Sequence, residues 1–219
     1  GQALKERSRG LEIWMKKGEK FFVLNIKGFD PYKMVGTSFK LEGSHQEVGF
    51  QQSHLKKLAK KYNGLIAGAD NGKRGYNLTF AIAYIRDFIS NYHIVGETME
   101  TSVPWSKIHT VCDAATNRLH ELHKKHNIPG TPYMSYRIPQ IYHTGVCIYF
   151  MFAISVKGIK NSIDIFHSIE HSMREAIIEN GGSISHHHGV GKLRKDFMTD
   201  TISPASIELL KQIKHSHDP

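Results

Sequence analysis

The sequence predicts an α+β fold, a mostly antiparallel sheet covered by long helices. Three observations lead there. Apolar residues recur at helical spacing over long stretches, hairpin-like pairs of apolar strands lie between those stretches, and the joins carry helix caps and glycine stops. With 219 residues and no internal repeat, low-complexity segment or clear linker, one domain spanning residues 1–219 is the simplest division.

Residues 3–17 read as an amphipathic helix carrying Leu4, Leu11, Trp14 and Met15, interrupted by Gly10. Phe21 to Ile26 and Val35 to Leu41 read as strands. Ser44 to Glu47 has capping-box spacing, and Val48, Leu55, Leu58, Ala59 and Tyr62 follow on one helical face until Asn63-Gly64 stops it. A short strand over 65–67 would complete a β-α-β unit. Asp70-Asn71-Gly72 reads as a turn, and Leu78, Ile82, Ile85 and Ile89 form the next helical stripe. Ile94 to Thr101 is extended. Ser102 and Pro104 read as the start of a helix striped by Trp105, Ile108, Cys112, Ala115, Leu119 and Leu122. Tyr133–Tyr142 and Val146–Val156 read as two long strands joined at His143-Thr144-Gly145. A helix from Ser162 carries Phe166, Ile169, Met173, Ala176 and Ile177 and stops at Gly181-Gly182. Ser183 to His188 is extended by default, and Ser203-Pro204 opens a final helix.

Hydrophobic residues make up 40% of the chain and charged residues 22%, a globular rather than a disordered composition. No apolar run reaches the roughly 20 residues that span a bilayer. The two cysteines, Cys112 and Cys147, sit in apolar stretches and read as small core residues in a reducing compartment. A net charge of +9 points to anionic partners: nucleic acid, phosphate esters or acidic lipid.

Three places break the local rules. The first is His186-His187-His188, followed by Gly189-Val190-Gly191 and the cations Lys192, Arg194 and Lys195. On a strand, neighbouring side chains alternate between faces, so three consecutive imidazoles are poorly placed to grip one metal ion. Imidazole titrates near neutrality and suits proton transfer, and Lys192 with Arg194 could hold a phosphate. An exposed loop with incidental histidines is the alternative. The second is Arg86, on a helix apolar nearly all round. A buried guanidinium there needs either a structural carboxylate, such as Glu97 or Glu100, or a cofactor or developing negative charge. The third is Tyr149, on a strand apolar on both faces and hence central. Its hydroxyl needs a hydrogen-bond partner, and it can move a proton where a site perturbs it.

Together these segments resemble the alkyldihydroxyacetonephosphate synthase family of vanillyl-alcohol-oxidase-type flavoproteins. The resemblance rests on Ala69 to Tyr76 leading into Ala83-Tyr84-Ile85-Arg86-Asp87, on Gly145 to Phe150, and on Ser183 to Lys195. Lys27-Gly28-Phe29-Asp30 and Glu100 to Trp105 agree as well. The matches keep their order from about residue 20 to 198, and the triple histidine is the most specific of them.

The resemblance implies the substrate-binding and catalytic cap domain of an FAD-linked oxidase type. It implies an enzyme of ether-lipid synthesis that exchanges the acyl group of acyl-dihydroxyacetone phosphate for a fatty alcohol, without net redox change. By position, Arg86 matches an arginine set near flavin and substrate. Tyr149 matches the catalytic tyrosine that moves the substrate's carbon-bound proton. His186, His187 and His188 match the active-site histidines, one of which activates the alcohol, with His188 also toward the cofactor. No metal is implied.

The family's FAD-binding part, its import signal and its short tail have no counterpart here. The expectation is therefore a cap inactive alone, which exposes a face for that part, with residues 200–219 leading back toward it. The family also implies a peroxisomal location, peripheral membrane association on the lumenal side, a homodimer and no nucleic-acid partner. Rival readings are the cap of another FAD-linked oxidase, such as one acting on a 2-hydroxy acid, or a noncatalytic basic module binding nucleic acid or anionic lipid.

Overall fold

A computed structural model describes residues 17–31 and 33–218, leaving aside the side chains at 17, 19, 78, 79 and 81–83. The expected N-terminal helix over 3–17, and Leu78 and Ile82 of the later stripe, lie outside the described residues. The described residues divide into two compact units, one ending at Phe88 and the other beginning at Ile89.

The first unit is helical. A short α1, Lys17–Phe21, runs into a wider turn over Phe22–Ile26. The helix α2, His45–Lys61, begins as its sequence dictates. The Ser44 backbone N–H donates to Glu47 Oε2 at 2.7 Å, and the Glu47 N–H donates back to Ser44 Oγ. Asn63 then takes the left-handed conformation, and the Gly64 N–H closes on the Ala59 carbonyl at 2.7 Å.

The expected strands at 21–26, 35–41 and 65–67 do not form, and with them goes the β-α-β unit. A short run of strand-like residues becomes a strand only where a neighbour completes its ladder, and Phe21, Phe22 and Ile26 instead stay exposed in helical turns. The expected turn at Asp70-Asn71-Gly72 is instead the first turn of α3, Ala69–Ser90. Asp70 suits the positive end of the helix, and Asn71 Nδ2 donates to the Ala67 carbonyl.

The second unit holds the sheet. Strands β1, Ile94–Pro104, β2, Tyr133–Ile141, and β3, Gly145–Ser155, form an antiparallel sheet in the order β1-β3-β2, so the Tyr149 strand is central as expected. The helix expected from Ser102 begins later, as α4, Ile108–Lys125. Residues 102–104 stay extended because β1 pairs with β3 as far as Pro104 opposite Gly145. In addition, the Ser102 N–H donates to Ser183 Oγ at 2.9 Å.

Helix α4 and α5, Ser162–Glu179, cover one face of the sheet. Val146, Ile148, Phe150, Phe152 and Ile154 alternate toward them and meet Val111, Ala115, Leu119, Phe166, Ile169 and Met173 in a single buried core. Arg118 links the helices, donating to the Ser172 hydroxyl at 2.7 Å with Glu175 and Glu179 beside it. The odd-numbered residues of β3, including Cys147 and Tyr149, face away from this core.

Past α5 the chain makes a loop, a short α6 over Gly191–Arg194, and α7, Pro204–His217, opened by the Ser203 cap and Pro204 as the sequence indicates.

Phe150 is fully buried at the centre of that core. Phe150→Ala is expected to destabilise the second unit by about 3–5 kcal/mol. Denaturant midpoints followed by the near-ultraviolet signal of that unit would measure it.

Candidate active site

Strand register builds the floor of the site. Glu100 of β1 and Arg137 of β2 both pair with Tyr149 of β3, so a carboxylate, a phenol and a guanidinium form one row across the sheet. The Arg137 guanidinium lies 4.7 Å from the centre of the Tyr149 ring. The Tyr149 hydroxyl donates to Thr98 Oγ1 at 3.2 Å. Pro139, with no N–H to give the ladder, falls where β2 shifts register between Arg137 and Gln140.

The histidine tract arrives on the free edge of β1. Gly182 permits the approach, since a Cβ there would stand 2.8 Å from Thr101 Oγ1 and 2.5 Å from Ile177 Cγ2. The Ser183 N–H then donates to the Ser102 carbonyl at 3.0 Å, and Thr101 Oγ1 donates to the Ser183 carbonyl at 2.7 Å.

Glu100 holds the histidine tract in place. Its side chain is fully buried, and its Oε1 accepts the Ser185 hydroxyl at 2.7 Å and the backbone N–H groups of His186, His187 and His188 at 2.8, 2.9 and 2.9 Å. The His186 N–H reaches Oε2 as well. Successive amides turned to one point make an anion site, and here the anion is the protein's own carboxylate. Burial alone would raise the Glu100 pKa. The His188 amide, the Ser185 hydroxyl and the His186 and His187 amides outweigh it and hold the group at about 2.

The tract is therefore an irregular loop rather than the expected extended strand, and neighbouring rings meet. His186 Nδ1 lies 3.1 Å from His187 Nδ1, and His186 Nε2 lies 2.7 Å from the Tyr142 hydroxyl. Tyr142 is itself held by the Trp105 indole, which donates to its carbonyl at 3.0 Å. The ring of Tyr149 stacks on His187 and meets His188 edge to face, with centroids 6.2 and 5.4 Å away. His187 is half-exposed. Burial pushes His188 below the usual imidazole range, with Glu100 opposing.

Ligand atoms of Glu100, Cys147, His186 and His187 all come within 4.8 Å of one another. Their chemistry is that of a hydrogen-bonded network. The carboxylate already accepts four donors, and burial together with Glu100 pushes the Cys147 thiol up, which keeps it protonated.

Tyr149 and the three histidines thus come together. Arg194 does not join them as a phosphate contact: it is buried, and its guanidinium donates to the Gly189 carbonyl at 3.0 Å, bracing the loop. Lys192 is exposed. Arg86 belongs to the first unit and, contrary to expectation, is exposed there. An all-round apolar helix is buried only where enough chain covers each side. On α3, Phe80, Tyr84, Ile85 and Phe88 are exposed with Arg86. In the second unit Glu97 accepts the Thr98 N–H, and Glu100 accepts the donors of the histidine tract. The sequence reading missed Arg137 and Tyr142, whose places depend on register and loop geometry. It named Glu100 as a candidate partner for Arg86 and as the start of a matching segment, and gave it no place in the site.

These features define a class. The family model for the C-terminal domain of FAD linked oxidases matches residues 22–219, and the chain belongs to that family. Its relatives narrow the likeness. The chain is 40% identical to an alkyldihydroxyacetonephosphate synthase of Caenorhabditis elegans, over 100% of this chain and 37% of that protein. It is 27% identical to the synthase of Dictyostelium discoideum, over 89% of this chain and 31% of that one. A solved alkyldihydroxyacetonephosphate synthase structure shares the fold, with a TM-score of 0.60 and 23% identity over 77% of this chain and 30% of the other. The chain thus spans about a third of the length of the curated relatives it matches.

The family's cofactor is FAD, and the residues present fit one end of it. The Tyr149, His187 and His188 rings form a polar, partly open surface suited to a planar ring system. Among the described residues, no glycine-rich strand–loop–helix is available for the pyrophosphate.

The depressed Glu100 pKa has a stability consequence. A carboxyl group at about 2 when folded, against 4.5 ordinarily, stabilises the fold fully above pH 4.5 and loses that contribution as pH falls through about 2. Acid titration of unfolding is expected to show a loss of about 3 kcal/mol over that window. Glu100→Gln should remove that part of the pH dependence.

Proposed function

We propose that this chain forms the substrate-facing, proton-moving part of a flavoenzyme that exchanges the acyl group of acyl-dihydroxyacetone phosphate for a fatty alcohol. The observation that carries the reading is the packing of Tyr149 against His187 and His188 beside an open sheet face, within a chain 40% identical to a synthase of that name.

The exchange needs a proton removed from a substrate carbon and another from the incoming alcohol, and a phenol and an imidazole in contact suit both tasks. Tyr149 handles the carbon-bound proton. His187, the half-exposed ring stacked on Tyr149, takes the alcohol proton. FAD, held by another part of the protein, would supply the nucleophile that lets the carboxylate leave before the alcohol arrives. Arg137 and Lys192 offer exposed cations for the substrate phosphate, and the reading gives the exposed Arg86 a role toward cofactor and substrate.

The FAD-binding part is the partner this reading requires. Phe80, Tyr84 and Phe88 on α3, exposed at 61%, 76% and 61%, support a protein contact on that face. The same reading carries a peroxisomal location, a homodimer and peripheral attachment to the lumenal membrane surface. The net charge of +9 is compatible with that attachment, and no described helix is long and apolar enough to cross a membrane.

The test is acyl-to-alkyl exchange by this chain joined to its FAD-binding part. Tyr149→Phe and His187→Ala are each expected to lower turnover by about two orders of magnitude or more, the scale of lost acid–base catalysis. Near-normal exchange in both would overturn the assigned roles.

A further inference from the structure

The buried carboxylate does more than anchor a loop. Its two oxygens are used differently. Oε1 takes the Ser185 hydroxyl and the three backbone amides. Oε2 accepts the His186 N–H and, at 4.0 Å, the Cys147 thiol, and it also faces the imidazoles, with His187 Nδ1 at 3.3 Å and His186 Nδ1 at 3.8 Å.

An ionised carboxylate accepts and cannot donate, so the nearer ring nitrogen is favoured as an N–H. The two Nδ1 atoms also face each other at 3.1 Å, a contact in which one must donate and the other accept. With the proton on His187 Nδ1, His186 Nδ1 accepts. The His186 proton then sits on Nε2, where it donates to the Tyr142 hydroxyl at 2.7 Å. The one His187 Nδ1 proton then lies between His186 Nδ1 at 3.1 Å and Glu100 Oε2 at 3.3 Å, both of which can accept it, and His187 Nε2 is left with a free lone pair. The opposite arrangement puts a lone pair on His187 Nδ1 against the carboxylate and a proton on the Nε2 that must act as base.

We infer that Glu100 is a positioning residue that holds His187 in its Nδ1–H tautomer, leaving Nε2 as the atom that takes the alcohol's proton. The step is a proton transfer alone: the alcohol O–H bond breaks, the N–H bond forms at Nε2, and the alkoxide oxygen keeps the electron pair. The catalytic consequence rests on the role proposed for His187, whereas the tautomer does not.

Glu100→Gln separates positioning from anchoring. With the amide oxygen in the place of Oε1, the four donors keep that acceptor, and the His186 N–H loses only its second contact, to Oε2. The amide NH2 then takes the place of Oε2 and drives His187 Nδ1 to accept, moving its proton to Nε2. In the protein joined to its FAD-binding part and labelled with 15N-histidine, imidazole nitrogen resonances would report the tautomer. The wild type is expected to show Nδ1–H at His187 and the variant Nε2–H. Exchange should fall by roughly 10²–10⁴, the scale of a wrong tautomer in a hydrolase triad, while circular dichroism and flavin content stay unchanged.

A wild-type His187 in the Nε2–H form would overturn the inference even if the variant failed to fold. An unshifted tautomer in a folded Glu100→Gln protein would overturn it too. Should the wild type show Nδ1–H, the variant show Nε2–H and neither catalyse exchange, the positioning role would stand and the proposed reaction would fall.

Discussion

One buried carboxylate meeting three successive backbone amides organises this unit. Removing an ionised carboxylate from water costs several kcal/mol unless hydrogen bonds replace its hydration. Glu100 is fully buried, and the Ser185 hydroxyl with the amides of residues 186–188 provides that replacement. The dependence is mutual. Without the carboxylate, three buried-side amides would lose their acceptor, and the loop would have no reason to turn its histidines toward Tyr149. Gly182 and the Ser102–Ser183 bonds bring the chain to the edge of β1, and Glu100 sets its conformation there.

The second unit was legible in the sequence because its elements are long and periodic. The stripe through Cys112, Ala115 and Leu119 and the run from Val146 to Ile154 define a helix and a central strand without help from tertiary structure. The first unit misled for the opposite reason. Phe21–Ile26 is a short, mostly apolar run and Val35–Leu41 a short alternating one, and whether either becomes a strand depends on a partner that the sequence does not identify. The same holds for Ser102, whose cap-like character was overridden once the Ser183 loop and β3 occupied its backbone.

The site was half legible. Its imidazoles and phenol stand out as residue types suited to proton transfer. Their geometry did not, because the alternation rule assumes a regular strand, and residues 183–190 form none. Glu100 was hidden by its ordinariness, one carboxylate among Asp and Glu residues with no pattern marking it. Register alone puts it beside Tyr149 and Arg137, and register is a property of paired strands rather than of either sequence.

The arrangement divides labour between atoms that are fixed and atoms that are free. The fixed atoms, the Glu100 carboxylate and the amides it holds, are buried with their hydrogen bonds met. The free ones are ring atoms on the open face, with His187 half-exposed and Arg137 exposed. A catalytic group works best when its support is rigid and its reacting atom is bare, since reorganisation during the reaction then costs least. On this sheet, helices α4 and α5 bury the core side of β3, from Val146 to Ile154, and so give the support its rigidity. The opposite face can therefore stay polar and uncovered without costing the fold its core. That is the condition under which a planar cofactor brought by another part of the protein could close over the phenol and imidazoles and exclude water from them.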